Sequence, residues 1–363
     1  MSAVENIVLF ENNGTVKFAY KKDGTPIKFD QLQLFAAAQQ YLDVGKVPFV
    51  IGSENNSKIA FQETNNNEII LYVTNQIYRD SEILHILRAQ AIMYNAFYGS
   101  FVRPLHVHGL DIQTVFGVPK VNHHRQHPNL PNFLQQFHDL GTDLIAFYCQ
   151  NEIVEASDSY WQQNRDDLLA IDLLVRHNEA PYTDQVFRRS DGIVSRVSVA
   201  QLQNTLKFVA VGNVNLSQAV SKVPAILRAN QQFLQLLYPR DPQVFKEVLA
   251  WVIDDRETPR CFGNIPPQLE REFIDLIVQN HDTIEKNRIK DVTLVCRDYK
   301  FFYMPMVLVR QTSFFSGHAH LWSFYCLHNL PGDVDEMRDF AERIMREMVP
   351  LLKPLPQQPP PKK

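Results

Sequence analysis

The chain has 363 residues, 45% of them hydrophobic and 21% charged, and a formal net charge of -4. That length exceeds one typical core, so two domains or one large elaborated domain are expected, and the composition excludes disorder along most of the chain. The slight acidity removes any general attraction to nucleic acid or acidic membranes and leaves only a local basic face as a route to either.

Ile7 to Phe10, a turn at Asn12-Asn-Gly14 and Val16 to Tyr20 read as a hairpin. Asp30 can cap a helix running to Leu42. Strands follow near Pro48 to Ile51, Lys58 to Gln62 and Glu68 to Thr74, joined by asparagine turns that tolerate left-handed backbone. Short strands joined by tight turns favour an antiparallel meander. Asp80 is placed as an N-cap, and Ile83 to Tyr98 continues as a helix that is apolar nearly all round, hence central and buried. A long, proline-punctuated connector comes next, then a short helix at Leu130 to Leu140 and a strand at Leu144 to Cys149.

From Ala156 the pattern turns helical, with segments at Ser157 to Asn178, Val199 to Val211, Ser217 to Tyr238 and Asp241 to Asp255. The last part predicts a helix over Pro266 to Lys286. Strands follow at Val292 to Arg297, Phe301 to Gln311 and His320 to Leu327, then a closing helix from Asp333 to Met348. The expected fold class is α+β, with antiparallel sheet units at both ends and a helical middle. The expected division is 1–150, a helical segment 151–260, a sheet-plus-helix unit 261–349 and a disordered proline-rich tail 350–363. A strand, turn, Asp and helix occurs at Ile69 to Met93 and again at Leu321 to Met348. Residue identity between the two is slight, and two similar α+β units arising by convergence are expected, with a true duplication as the alternative.

Reactive side chains concentrate in the connector, where five histidines fall within 22 residues: His106, His108, His123, His124 and His127. An extended segment puts His106 and His108 on one side, and Asp111, His123, His124 or His127 could complete a divalent metal site. Against this, the chain has no H-E-x-x-H run, and loop histidines beside proline and asparagine are ordinary. Glu82 and His85 share a helix face, but no second Glu-x-x-His supports a carboxylate-bridged metal bundle. His85 reads better as a buried neutral ring beside an N-terminal acid. His318-Ala-His320 repeats the two-apart spacing and is explained by strand-edge polarity. Asp166 and Asp167 read as early-helix acids, and Asp254 and Asp255 as a solvated helix end. The small basic clusters Arg188-Arg189 with Arg196, and Lys120 with Arg125, lack interleaved aromatics and read as loop charges.

Glycine numbers 13, where average usage would give roughly 25, which weighs against phosphate-cradling loops. Cys149, Cys261, Cys296 and Cys326 form no C-x-x-C pair and are expected reduced, mostly in cores. The acidic start carries no signal-peptide pattern, and Phe301 to Val309, the longest apolar region, is too short to span a bilayer. The expectation is therefore a soluble cytoplasmic protein without membrane attachment or cofactor. It is expected to be a non-catalytic structural or interaction protein acting by self-association or through a protein partner. A viral or phage origin would suit such a sequence. The alternatives are a histidine-dependent metal hydrolase built on residues 106–127 and, less favoured, a nucleic-acid accessory protein.

Overall fold

Runs of β-branched and aromatic residues between tight turns set the pattern of the whole chain. The computed structural model describes residues 5–11, 13–21, 27, 33, 37, 49–52, 57–64, 66–76, 78–97, 110–122, 130–138, 142, 144–203, 205–212, 217–238, 244–287, 291–313, 316–329 and 333–348. The chain divides into two units, Met1–Leu110 and Asp111–Lys363. It is a mixed α/β protein dominated by sheet.

In the first unit, β1 (Glu5–Glu11), β2 (Val16–Lys21), β3 (Phe49–Gly52), β4 (Lys58–Glu63) and β5 (Glu68–Thr74) form one antiparallel sheet in the order β2-β1-β5-β4-β3. Asn67 turns the β4–β5 hairpin with a φ of 56°, the left-handed geometry that asparagine tolerates. Helix α1 (Asp80–Ala96) packs across β3, β4 and β5. Its N-cap is Arg79 rather than Asp80. Glu82, expected as an N-terminal acid of this helix, is buried and accepts the Arg79 backbone N–H at 2.6 Å, so it serves the helix start. The opposite sheet face holds a core of Val8, Phe10, Phe61, Ile69, Leu71 and Val73. Within 22–48, Gln33 and Ala37 are helical.

The second unit opens with α2 (Ile112–Phe116) and α3 (Leu130–His138). Its first sheet comprises β6 (Leu144–Cys149), β7 (Glu152–Ala156), β8 (Tyr182–Arg188), β9 (Val194–Gln203) and β10 (Leu206–Gly212), in the order β7-β6-β10-β9-β8. Helices α4 (Asp158–Trp161) and α5 (Arg165–His177) lie between β7 and β8. After β10 come α6 (Ser217–Ala229), α7 (Gln231–Leu234) and a 3₁₀ turn, Gln235–Leu237. One face of this sheet carries Phe133, Phe137, Phe147, Phe208 and Phe233, with neighbouring ring centroids about 5–6 Å apart. The other face meets α5, whose last carbonyls, on Val175 and Asn178, accept from Lys207 of β10 at 2.6 and 3.1 Å. The second sheet comprises β11 (Val248–Asp255), β12 (Arg260–Asn264), β13 (Val292–Val295), β14 (Tyr299–Ser313) and β15 (Ser316–Asn329), in the order β12-β11-β15-β14-β13. Helix α8 (Pro267–Asn287) lies between β12 and β13, and α9 (Val334–Met348) follows β15.

Three modules thus share one topology, with strand order second-first-fifth-fourth-third and a helix after the fifth strand. The echo between Ile69–Met93 and Leu321–Met348 is the end of the first and third modules, and β10 with α6 repeats it in the second. The helical middle is corrected. Val199 to Val211 forms β9 and β10, and Asp241 to Asp255 ends in β11. Ala250, Trp251, Val252 and Ile253 are all at most 2% exposed, so a strand covered on both faces shows no alternation and resembles a helix in sequence. The proline-rich tail 350–363 lies outside the described residues. No described helix is long and apolar enough to cross a membrane.

Candidate functional site

The histidine connector comes first because the sequence pointed there. His106, His108, His123, His124 and His127 lie outside the described residues. Asp111, the remaining candidate ligand, caps α2, accepting the Thr114 N–H at 2.8 Å, and pairs with Arg176. Gly117 ends this short helix in left-handed geometry, with a φ of 65°. Among the described residues, no three His, Cys, Asp or Glu side chains gather as a metal site.

Arg176 is nearly buried and lies between two carboxylates. Asp172, one turn earlier on α5, accepts from its Nε at 2.7 Å, and Asp111 takes Nη1. Burial drives the Asp172 carboxyl up to about 6 against the pull of Arg176. Burial also acts on Asp111, but Arg176 and the Thr114 N–H outweigh it and hold that carboxyl below its ordinary value. Tyr148 and Tyr160 share a hydroxyl contact of 2.9 Å alongside, and burial raises both phenols. The cluster ties α2 to α5. Its chemistry is that of a structural ion pair.

A second polar cluster closes the end of β11. Asp254 and Asp255, expected as a solvated helix end, are fully buried strand residues. Asp255 accepts the Thr258 N–H at 2.9 Å, Arg260 Nε at 3.1 Å and His320 Nε2 at 2.5 Å. His320 Nδ1 lies 3.3 Å from a Glu257 oxygen, and the ring stacks on Trp322 at 4.7 Å. Asp254 lies 3.2 Å from Arg256 Nε. A general base needs one ring nitrogen turned toward a substrate. Here both nitrogens of His320 face carboxylates, so the group clasps the β11–β12 turn to β15. The His318 side chain lies outside the described residues, as does Arg125; Lys120 pairs with Glu152 at 2.5 Å. Cys149, Cys261 and Cys326 are buried free thiols, and burial pushes the last two up, away from nucleophilic character.

The third feature is a surface. Strand β8 is the edge of its sheet, and its register with β9 pairs Arg188 with Val194, Val186 with Arg196 and Tyr182 with Ala200. Side chains alternate, so Tyr182, Asp184, Val186 and Arg188 share one face with Val194 and Arg196. Phe187 and Gln185 point the other way and are buried. On the shared face Tyr182 is 42% exposed, Val186 37% and Val194 56%, and Ile193 in the adjoining turn is 47% exposed. That turn closes at Gly192, with a φ of 86°, and Gly192 N–H donates to the Arg189 carbonyl. The arginines read as loop charges are strand and turn residues. Arg196 pairs with Asp184, its Nε 3.1 Å from Oδ2, and Arg189 pairs with Asp191 at 3.1 Å.

Sequence reasoning identified the loop Arg188 to Gly192 but not the strands beside it. The signal was available in Tyr182-Thr-Asp-Gln-Val-Phe-Arg188, where Tyr, Thr, Val and Phe, four of seven residues, are aromatic or β-branched and suit a strand. No protein-family model and no curated protein matches this chain.

Proposed function

We propose that this protein acts by binding another protein, with the β8–β9 face as its contact surface. The observation that carries the reading is the exposure of Tyr182, Val186 and Val194 side by side on one sheet face, with Ile193 at its rim. Singly exposed apolar residues are ordinary, whereas an adjacent group rimmed by arginines has the make-up of an interface core and rim. The two buried polar clusters support the non-catalytic part of the reading, because Arg176 pairs with Asp111 and Asp172, and His320 has a carboxylate at each ring nitrogen.

The test is a doubly substituted chain, Val186→Glu with Val194→Glu. Both positions face solvent, so the unfolding midpoint should stay within experimental error of the wild type. Tagged wild type and variant are expressed in cells of the source organism, and co-purifying proteins are quantified. Loss of at least one near-stoichiometric partner, or of self-association measured by sedimentation velocity, is expected. Identical partner sets and identical sedimentation would sink the proposal.

A further inference from the structure

The three modules differ in what covers the outer strands. In the first, α1 lies across β3, β4 and β5, so the helix after the fifth strand reaches the edge strand. In the second, α6 packs on β9 and α3, and the chain then doubles back, placing its 3₁₀ turn against β6 and β7. Pro224 lies inside α6, which is 13 residues long against 17 for α1. The helical layer is therefore drawn toward the β6–β7 side, and the β8 end of the same face stays open. Tyr182, Val186 and Val194 occupy the ground corresponding to that which α1 covers in the first module.

The charge around this opening has one sign in excess. On this face and in its turn Arg196 pairs with Asp184 and Arg189 with Asp191, while Lys207 is turned to the other face and bonds the α5 carbonyls. Lys222 and Arg228 are exposed on α6, and Arg188 is exposed on β8. Asp184, the acid on the open face itself, is already paired with Arg196. An apolar strip flanked by cations is complementary to an apolar stripe flanked by carboxylates. Strand β8 is seven residues long, about 20–23 Å at the strand rise, and its open face matches the length of a helix of roughly 14 residues.

We propose that the open β8–β9 face seats an amphipathic helix of a partner protein, one that carries acidic residues beside its apolar stripe. This rests on the protein-binding reading above and names the class of partner. The docked helix completes the second module in the way α1 completes the first, with Tyr182 and Val194 against its apolar residues and Arg188 at its acidic flank.

Site-specific photo-cross-linking tests it in the full chain. The probe is p-benzoylphenylalanine introduced in place of Tyr182 or Val194, with Arg346 on α9 as an exposed control position. Cross-linked peptides from source cells are sequenced by mass spectrometry. The expected result is a single partner segment with apolar residues three and four apart and acidic residues beside them, reached from both positions and not from the control. With the probe at Tyr182, Val194→Glu should cut its yield about tenfold, and raising salt should weaken it further. A cross-linked partner segment that is basic, or that alternates as a strand, overturns the helix proposal and leaves the protein-binding reading standing. Cross-links to a second copy of this chain overturn it in the same way. Cross-links only to lipid or nucleic acid, or none above the control, overturn both.

Discussion

Replacing Asp172 by Asn isolates the contest between burial and ion pairing in the Asp111–Arg176–Asp172 cluster. Asp172 is fully buried, and its carboxyl is pushed up to about 6 from 3.8. A raised carboxyl contributes stability that is fully present below the unfolded value and lost as pH rises through about 6. Two units correspond to about 3 kcal/mol, of which roughly 2 kcal/mol falls between pH 4.5 and 7.5. The Asn variant lacks this titration, so wild-type stability minus variant stability should decrease by about 2 kcal/mol across that window. The shifted value of about 6 already includes the charge-assisted bond to Arg176. With that bond counted once, the variant is expected at pH 7.5 to be as stable as wild type or up to about 2 kcal/mol more stable. Arg176→Met instead leaves two carboxylates without their counter-charge and should cost about 3–5 kcal/mol. Urea unfolding followed by tryptophan fluorescence reads this cleanly, because Trp161, Trp251 and Trp322 are the chain's three tryptophans and all lie in the second unit. A loss of 3 kcal/mol or more in Asp172→Asn at pH 7.5, independent of pH, would refute the reasoning.

Three further outcomes are expected. At Gly263 an added Cβ would lie 2.3 Å from the Trp251 carbonyl oxygen and 2.7 Å from Val252 Cα, so Gly263→Ala should destabilise the second unit by about 2–3 kcal/mol; a neutral result in the same urea assay would contradict the close β11–β12 approach. His320→Phe can keep the stack on Trp322 but removes the bond to Asp255, and a loss of about 1–3 kcal/mol is expected, whereas no change would show the clasp to be idle. Changing His106 and His108 together to Ala should leave both bound metal and unfolding midpoint unaltered. One equivalent of metal in the wild type by elemental analysis, lost in the variant, would promote the hydrolase alternative.

The strands of the first sheet were legible almost residue by residue, as were α1, β6 and the last five elements. In these segments turn residues sit at the ends and the apolar content is distinctive, as in Glu68 to Thr74 between Asn67 and Asn75. The other strands of the second module were not legible, although its helices were. Strand β7 follows β6 through Gln150-Asn151, both with positive φ, a two-residue turn without the glycine that usually marks it. Strands β10 and β11 are covered on both faces and lose their period. Asp254 and Asp255 looked solvated because sequence shows charge but not the Arg256 and Arg260 that receive it. The open β8–β9 face is invisible for a different reason. Its exposure depends on where α6 goes after β10, a matter of tertiary path rather than local pattern.

The common strand order also dictates when each module can be completed as the chain is made. The first strand of every module lies beside its fifth, so Ile7 pairs with Tyr72, Ile145 with Ala210 and Ile253 with Phe324, separations of 65, 65 and 71 positions. Until the fifth strand is available, the first two form only a hairpin, which is marginal alone in water. Closing a loop of that length has an entropic cost that must be met before the long-range contacts form, which makes such pairing slow. During synthesis at roughly 5–20 residues per second, each module would wait several seconds for its closing strand. The chain should therefore acquire structure in three steps, with β1–β2, β6–β7 and β11–β12 each exposed in turn.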